Sequence, residues 1–301
     1  MQSKHFLTIE HLDQKTLIAL LNQAQTFSET EKTCDRLQHK VVTNLFFETS
    51  TRTRFSFELA AKRLGATVLN FDPKTSSTQK GETLLDTVKT VTAMGVHILV
   101  IRHEENHLAA TLAQSLDDVS IINAGDGTHE HPTQALLDML TIRQHKPNFS
   151  QLKVAIMGDI RHSRVAHSAI HALHCLGVPD IRVIAPDLLM PQDPNKLRVR
   201  TFTQPEQGLQ DVDVVMTLRL QKERMQAAHI PDGANYFQHY GLTSERLRFA
   251  KPDAIVMHPG PMNRDVEIAS SVADGPQSVI LQQVRNGVAA RMAVMAWCLD
   301  T

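Results

Sequence analysis

The stretch from Lys40 to Gly65, KVVTNLFFETSTRTRFSFELAAKRLG, constrains the fold more than any other part of the chain. It opens with an apolar, β-branched run (Val41, Val42, Leu45, Phe46, Phe47) of buried-strand length. It closes with Phe57, Ala60, Ala61 and Leu64 at helical spacing, followed by Gly65 in the usual stop position. Ser50-Thr51-Arg52-Thr53-Arg54 lies between the two. A strand that turns directly into a helix aims the first free N–H groups and the positive dipole end of that helix at the turn. Hydroxyls and guanidinium groups concentrated there make an anion site, and the reading is a phosphate-binding turn. The Gly-x-x-x-x-Gly-Lys-Ser/Thr loop is absent, and no Gly-x-Gly-x-x-Gly follows an expected strand, so nucleotide and dinucleotide loops have no support.

Alternation of the same kind runs through the rest of the chain. Phe6 to Phe27 reads as helical, with Leu12, Leu17, Leu20 and Leu21 as its apolar stripe. Strands are expected at Thr67–Phe71, His97–Ile101 and Val119–Ile122, with a helix from Leu84 that Gly95 closes and another that Pro132 opens. After a loop at His145–Gln151 the pattern restarts. Strands are expected at Lys153–Met157, Ile181–Ala185, Val212–Leu218 and Ala254–Met257, with helices at Val165–Leu176 and Ser278–Leu299. The fold class that follows is α/β, two doubly wound domains, each a parallel sheet flanked by helices. The expected division is 1-145, completed by the C-terminal helix at about 280-301, and 146-279.

In such sheets ligands sit beyond the carboxyl ends of the strands. Ser50 to Arg54 follow the first strand, Arg102 the third, and His131 with Gln134 the fourth. In the second half, Arg164 follows one strand, Arg219 with Gln221 another, and His258-Pro-Gly-Pro261 ends the last. Four arginines at strand exits (Arg52, Arg102, Arg164, Arg219) suit several anionic groups, because the planar guanidinium holds phosphate and carboxylate in bidentate fashion. The expectation is a substrate pair bridged by domain closure.

Composition narrows the partners. A formal charge of −1 and a pI near 7.0 give no global basic field for nucleic acid or membrane. No run approaches the roughly 18 apolar residues of a membrane span, and the N-terminal residues lack the apolar core of a signal peptide. Three widely spaced cysteines (Cys34, Cys175, Cys298) fit neither a disulfide framework nor a Cys-x-x-Cys metal site, so a reduced, cytoplasmic protein is expected. His167, His171 and His174 share a helical spacing but read as a polar face opposite Val165, Ala169, Ile170 and Leu173, and His129-Glu-His131 lacks a two-ligand helical spacing. No metal and no cofactor are expected.

The stretch Phe47-Glu-Thr-Ser-Thr-Arg-Thr-Arg-Phe55 resembles the carbamoyl-phosphate signature of the carbamoyltransferases, and the resemblance extends over essentially the whole chain. Ser76-Ser77-Thr-Gln-Lys80-Gly-Glu resembles the family's lysine loop, and Gly125-Asp-Gly-Thr-His-Glu-His131-Pro-Thr-Gln134 its His-Pro-x-Gln segment. Met157 to Arg164, Leu218 to Arg224 and Met257 to Arg264 resemble the motifs of the acceptor domain in the aspartate-specific branch. The resemblance implies carbamoyl transfer to the α-amine of aspartate, through a tetrahedral intermediate and with no covalent enzyme species. The catalytic residues it implies are Arg52, Thr53, Lys80, Arg102 and His131. Carbamoyl phosphate would be held by Ser50, Thr51, Arg52, Thr53, Arg102, His131 and Gln134. The backbone carbonyls of Gly260 and of Pro259 and Pro261 would face its amino group. Aspartate would be held by Lys80, Arg164, Arg219 and Gln221, and Ser76 and Lys80 would be contributed by a neighbouring subunit of a homotrimer. A regulatory chain or a dihydroorotase partner stays open, as do ornithine as acceptor and a non-catalytic scaffold chain. Asp265 stands where many relatives have glycine, a departure for which the sequence offers no physical account.

Overall fold

A computed structural model describes residues 4–30, 33–73, 81–221 and 232–300. The chain divides into two compact units, Met1–Leu137 with Arg285–Thr301, and Asp138–Val284.

The first unit holds a four-stranded parallel sheet in the order β2-β1-β3-β4. Its elements are α1 (Gln14–Thr30), β1 (Val41–Phe46), α2 (Thr51–Arg63), β2 (Thr67–Phe71), α3 (Leu84–Ala93), β3 (Ile98–His103), α4 (Leu108–Ala113), β4 (Ser120–Asp126) and α5 (Pro132–His145). Central strands of a helix-covered parallel sheet are buried on both faces, and Val42, Leu45, Ile98, Leu99 and Ile101 on β1 and β3 are all buried. β2, at the edge, is mostly exposed.

Helix α1 starts at Gln14, so the helical reading from Phe6 is corrected. Asp13 supplies the start signal, accepting from Thr16 N at 2.9 Å. Phe6 is instead drawn beside β4, where its N–H donates to the Ile121 carbonyl at 2.8 Å and its carbonyl accepts from Asn123 N at 2.9 Å. Phe6 and Ile9, three apart, are both buried, but Phe6 is held by extended pairing with β4 rather than by a helix. The sequence reading also missed α4, whose six residues are too few to show a period.

The second unit holds a five-stranded parallel sheet in the order β7-β6-β5-β8-β9. It contains β5 (Lys153–Met157), α6 (Arg164–Cys175), β6 (Asp180–Ile184), α7 (Pro194–Leu197), β7 (Arg200–Phe202), α8 (Pro205–Gly208), β8 (Val214–Thr217), α9 (Gly233–Tyr240), α10 (Ser244–Leu247), β9 (Ile255–Met257) and α11 (Ser270–Ala273). Helix α12 (Ile280–Leu299) follows, and the division between the units falls inside α5 and inside α12. Asp138, on the second unit's side of α5, accepts from Gln283 Nε2 at 2.6 Å. The three-residue edge strand β7 carries no apolar alternation and escaped the sequence reading. Arg182 secures it, stacking 5.6 Å from the Phe202 ring while donating to the Gly208 and Gln210 carbonyls.

No helix among the described residues is long and apolar enough to cross a membrane.

Candidate active site

In the first unit the strand order reverses between β1 and β3, which places the switch point at their carboxyl ends. Ser50 occupies the N-cap of α2 in an extended conformation, and its hydroxyl makes no capping hydrogen bond. The first turn of α2 contains no acidic residue, so nothing on the helix opposes its positive end. Thr51 and Arg52 are exposed there, whereas Thr53 is buried. Arg54 turns aside and lies over the Phe55 ring, 5.7 Å from its centroid.

Arg102 leaves β3 directly opposite Phe46 of β1. Its Nε lies 3.1 Å from Glu48 Oε2, and its Nη1 donates to the Ala124 carbonyl at 3.3 Å. Glu48 is therefore a positioning partner that the sequence reading missed, although it stands inside the same motif, two residues before Ser50. His131 and Gln134, both buried, stand at the start of α5, where Gln134 N and Ala135 N donate to the His131 carbonyl. The first turn of α5 has no acid either. The topology thus brings Ser50, Thr51, Arg52, Thr53, Arg102, His131 and Gln134 to the carboxyl edge of three adjacent strands, with two helix N-termini among them.

The acids of the β4–α5 loop are committed to the fold. Glu130 accepts from Ile9 N at 2.8 Å and Glu10 N at 3.2 Å. Asp126 accepts from Asn123 Nδ2, Glu130 N and His107 N at 2.8–3.1 Å, and His129 Nδ1 lies 3.1 Å away. Burial pushes the Asp126 carboxyl up, but hydrogen bonds from His129, Asn123 and the His107 backbone outweigh it and hold the group below its ordinary range. The same hydrogen bond raises His129, against the opposing effect of burial.

In the second unit the switch point lies between β5 and β8. Gly158, just past β5, has φ +131°, and a Cβ there would stand 2.4 Å from the Leu218 carbonyl oxygen. Only glycine lets the two strand exits approach so closely. Asp159, fully buried, then ties them together, accepting from His162 N at 3.1 Å and from Gln221 N at 3.2 Å. Ser163 caps α6, and Arg164 follows as its first residue with its side chain buried. Arg219 and Gln221 follow β8, both half-buried. The sequence reading named Arg164, Arg219 and Gln221 but not Asp159, whose lone carboxylate after a strand gives no recognisable spacing.

Beyond β9, His258 is buried, its Nδ1 accepting from Gly260 N at 2.7 Å and its backbone N donating to Gln283 Oε1 at 3.0 Å. An Nδ1 that accepts leaves the proton on Nε2, which lies 3.1 Å from Glu267 Oε1. Glu267 also accepts from Asn263 N at 2.5 Å. This chain of bonds fixes the loop holding Pro259, Gly260 (φ +69°) and Pro261, whose Gly260–Pro261 peptide is cis. Glu267 was not named from sequence either. Asp265 acquires its account here. Its φ is +59°, the left-handed region that favours glycine, and its carboxylate accepts from Ser270 N at 3.1 Å and Ser270 Oγ at 3.3 Å. Ser76 and Lys80 lie outside the described residues, as do Glu223 and Arg224. His167, His171 and His174 are half-buried along α6, and His174 Nε2 is 2.9 Å from the Leu197 carbonyl.

Each unit by itself is thus an α/β sheet whose switch point presents arginines and a helix N-terminus, the architecture of a protein that binds small anions. The carbamoyl-P binding domain of the aspartate/ornithine carbamoyltransferases matches residues 4–144, and the Asp/Orn binding domain matches residues 150–298. Among solved structures, aspartate transcarbamoylase from Trypanosoma cruzi in complex with carbamoyl aspartate and phosphate is 34% identical, with a TM-score of 0.88 over 98% of this chain and 95% of that one. The same enzyme in complex with carbamoyl phosphate and aspartate is also 34% identical, with a TM-score of 0.86 over 98% and 96%. Ornithine carbamoyltransferase from Thermus thermophilus is 24% identical over the full length of both chains, with a TM-score of 0.87, which shows a shared fold. The chain belongs to the aspartate/ornithine carbamoyltransferase family.

Proposed function

We propose that this chain transfers the carbamoyl group of carbamoyl phosphate to the α-amine of L-aspartate, giving N-carbamoyl-L-aspartate and phosphate. The observation that carries the choice of acceptor is the equipment of the second unit. Its switch point presents Arg164 and Arg219, while Asp159 beside them is taken up by N–H groups of the chain. Two carboxylates on the acceptor match that charge, whereas the distal ammonium of ornithine would need an acid there. The relative solved with carbamoyl phosphate and aspartate supports the same reading.

The assigned domains are 1–145 with 280–301 for carbamoyl phosphate and 146–279 for aspartate. Ser50, Thr51, Arg52 and Thr53 take the phosphate at the α2 N-terminus. Thr53, Arg102 and His131 stabilise the carbonyl oxygen as the neutral α-amine attacks and charge builds on it. Gln134 and the carbonyls around Gly260 and Pro261 orient the carbamoyl amino group. Arg164, Arg219 and Gln221 hold aspartate, and Lys80 serves both substrates. Electrostatic stabilisation of this kind is typically the largest catalytic contribution, each donor being worth about 2.7–4 kcal/mol. Orientation of two substrates that repel each other supplies the other large part.

Ser76 and Lys80 act on a neighbouring subunit in a homotrimer. Phe55 and Leu59, exposed on one face of α2, and exposed Leu69 on the edge strand β2 supply apolar surface for an interface in the unit that carries that segment. The setting is pyrimidine biosynthesis in the cytoplasm. Carbamoylation assays with aspartate and ornithine in parallel test the reading. Product from aspartate alone is expected, and turnover of ornithine with none of aspartate would overturn it. Mixing Lys80→Ala with Arg52→Ala subunits tests the sharing. Partial recovery of activity is expected, and a dead mixture with exchange demonstrated would refute it.

A further inference from the structure

The loop between β4 and α5 contains more chemistry than the proposed reaction uses. His131 is assigned to substrate, which leaves Asp126 at the end of β4, His129 on the loop and His107 at the N-cap of α4. We infer that His107, Asp126 and His129 form a binding site for one divalent transition ion of the Zn²⁺ or Co²⁺ class.

Three observations carry the inference. One ligand atom from each of the three residues lies within 4.8 Å of the other two, and the His107 and His129 rings are 3.9 Å apart between centroids. His129 Nδ1 and Asp126 Oδ2 are 3.1 Å apart. Neighbouring ligands on a tetrahedral zinc, with bonds of roughly 2.0–2.1 Å, stand about 3.3 Å apart, so an ion fits with small adjustment where the hydrogen bond now bridges the two.

The carboxylate is already oriented as a ligand requires. Asp126 is buried, and Asn123 Nδ2, Glu130 N and His107 N hold its two oxygens. Such outer contacts fix ligand direction in metal sites.

The loops that carry the imidazoles are also clamped together. Thr128 N donates to Asn106 Oδ1 at 2.9 Å, and Gly127 N donates to the His103 carbonyl at 3.0 Å. Gly127 has φ +44°, and a Cβ there would lie 2.7 Å from the Glu104 carbonyl oxygen, so glycine permits this approach. His107 itself is held at φ +63°, ψ +6°, a left-handed conformation that a non-glycine residue keeps only when its surroundings enforce it. The two loops, locked in register, hold these ligand-type side chains together.

Two imidazoles with one carboxylate select zinc, cobalt or nickel over magnesium and calcium, which prefer all-oxygen shells. Exposed His107 leaves the ion open to solvent.

The test uses the full chain, stripped with chelator and titrated with Zn²⁺ by calorimetry and with Co²⁺ by visible absorption. One ion per chain is expected, with Co²⁺ bands of a four-coordinate nitrogen and oxygen site. Because losing even an outer-shell contact weakens metal affinity about 10–100-fold, His107→Ala and His129→Ala should each weaken binding at least ~10-fold. His171→Ala on α6 should leave it unchanged. His107 is exposed, so its variant keeps the fold, and equal melting temperatures without metal would verify this. Absence of stoichiometric binding, or affinity unchanged in His107→Ala, would overturn the site.

Discussion

The two switch points solve the same problem with opposite materials. In the first unit the groups offered at the strand exits are hydroxyls, guanidinium groups and helix N-termini, and the nearby acids Asp126 and Glu130 are turned into the fold. In the second unit buried acids are the framework. Asp159 ties the β5 exit to the β8 exit, and Glu267 holds the loop after β9. The difference teaches where each site keeps its precision. The first is centred on one continuous turn, which Arg102, aimed by Glu48, joins from β3 and buried His131 and Gln134 join after β4. The second has no such continuous turn, and buried carboxylates bonded to backbone N–H groups align its strand exits.

That contrast can be broken at its strongest point by Arg52→Ala. Arg52 is exposed on the α2 turn, so its loss should lower turnover by about two decades or more with the melting temperature unchanged. Near-parental turnover would remove the phosphate role from the turn. Gly158→Ala probes the other side. Its Cβ would stand 2.4 Å from a carbonyl oxygen at φ +131°, and a cost of about 1–3 kcal/mol or more in urea unfolding is expected. Stability equal to the parent would mean that the β5 and β8 exits do not need their close approach. Asp159→Asn sharpens the comparison further. It keeps the shape but replaces one of the two acceptor oxygens with an NH2 donor facing a backbone N–H, at about 1–3 kcal/mol. The KM for aspartate should rise while the Kd for carbamoyl phosphate, measured by calorimetry, stays put. A matching loss in both would show that the units do not divide the substrates.

The same contrast explains what the sequence revealed. The phosphate turn was legible because strand, anion-binding residues and helix are contiguous, and strand exits are where a parallel sheet must put its ligands. Arg102, Arg164 and Arg219 were found by the same rule. Glu48, Asp159 and Glu267 were not, because an acid that holds a backbone N–H or another side chain carries no spacing of its own. Phe6 shows the limit for secondary structure. Two buried apolar residues three apart fit a helix until a neighbouring strand offers its edge. β7 was invisible because an edge strand three residues long needs no alternation.

The smallest effect is expected at Asp265, and its sign discriminates between two accounts of the residue. Holding a non-glycine side chain in the left-handed region costs about 1–2 kcal/mol, less for aspartate, whose short polar group bonds locally. Here it accepts from Ser270 N and Ser270 Oγ at an exposed site, bonds worth together about 1 kcal/mol. Asp265→Gly relieves the backbone, loses both bonds and gains chain entropy when unfolded, so the change should be within about 1 kcal/mol. Asp265→Ala keeps the strain and loses the bonds, and should be the least stable of the set. Asp265→Asn, which retains an acceptor and tolerates the conformation, should fall nearest the parent. Chemical denaturation ranks the four chains directly. If alanine proved as stable as aspartate, the bonds to Ser270 would contribute nothing. The residue at this left-handed position would then be explained by its backbone alone.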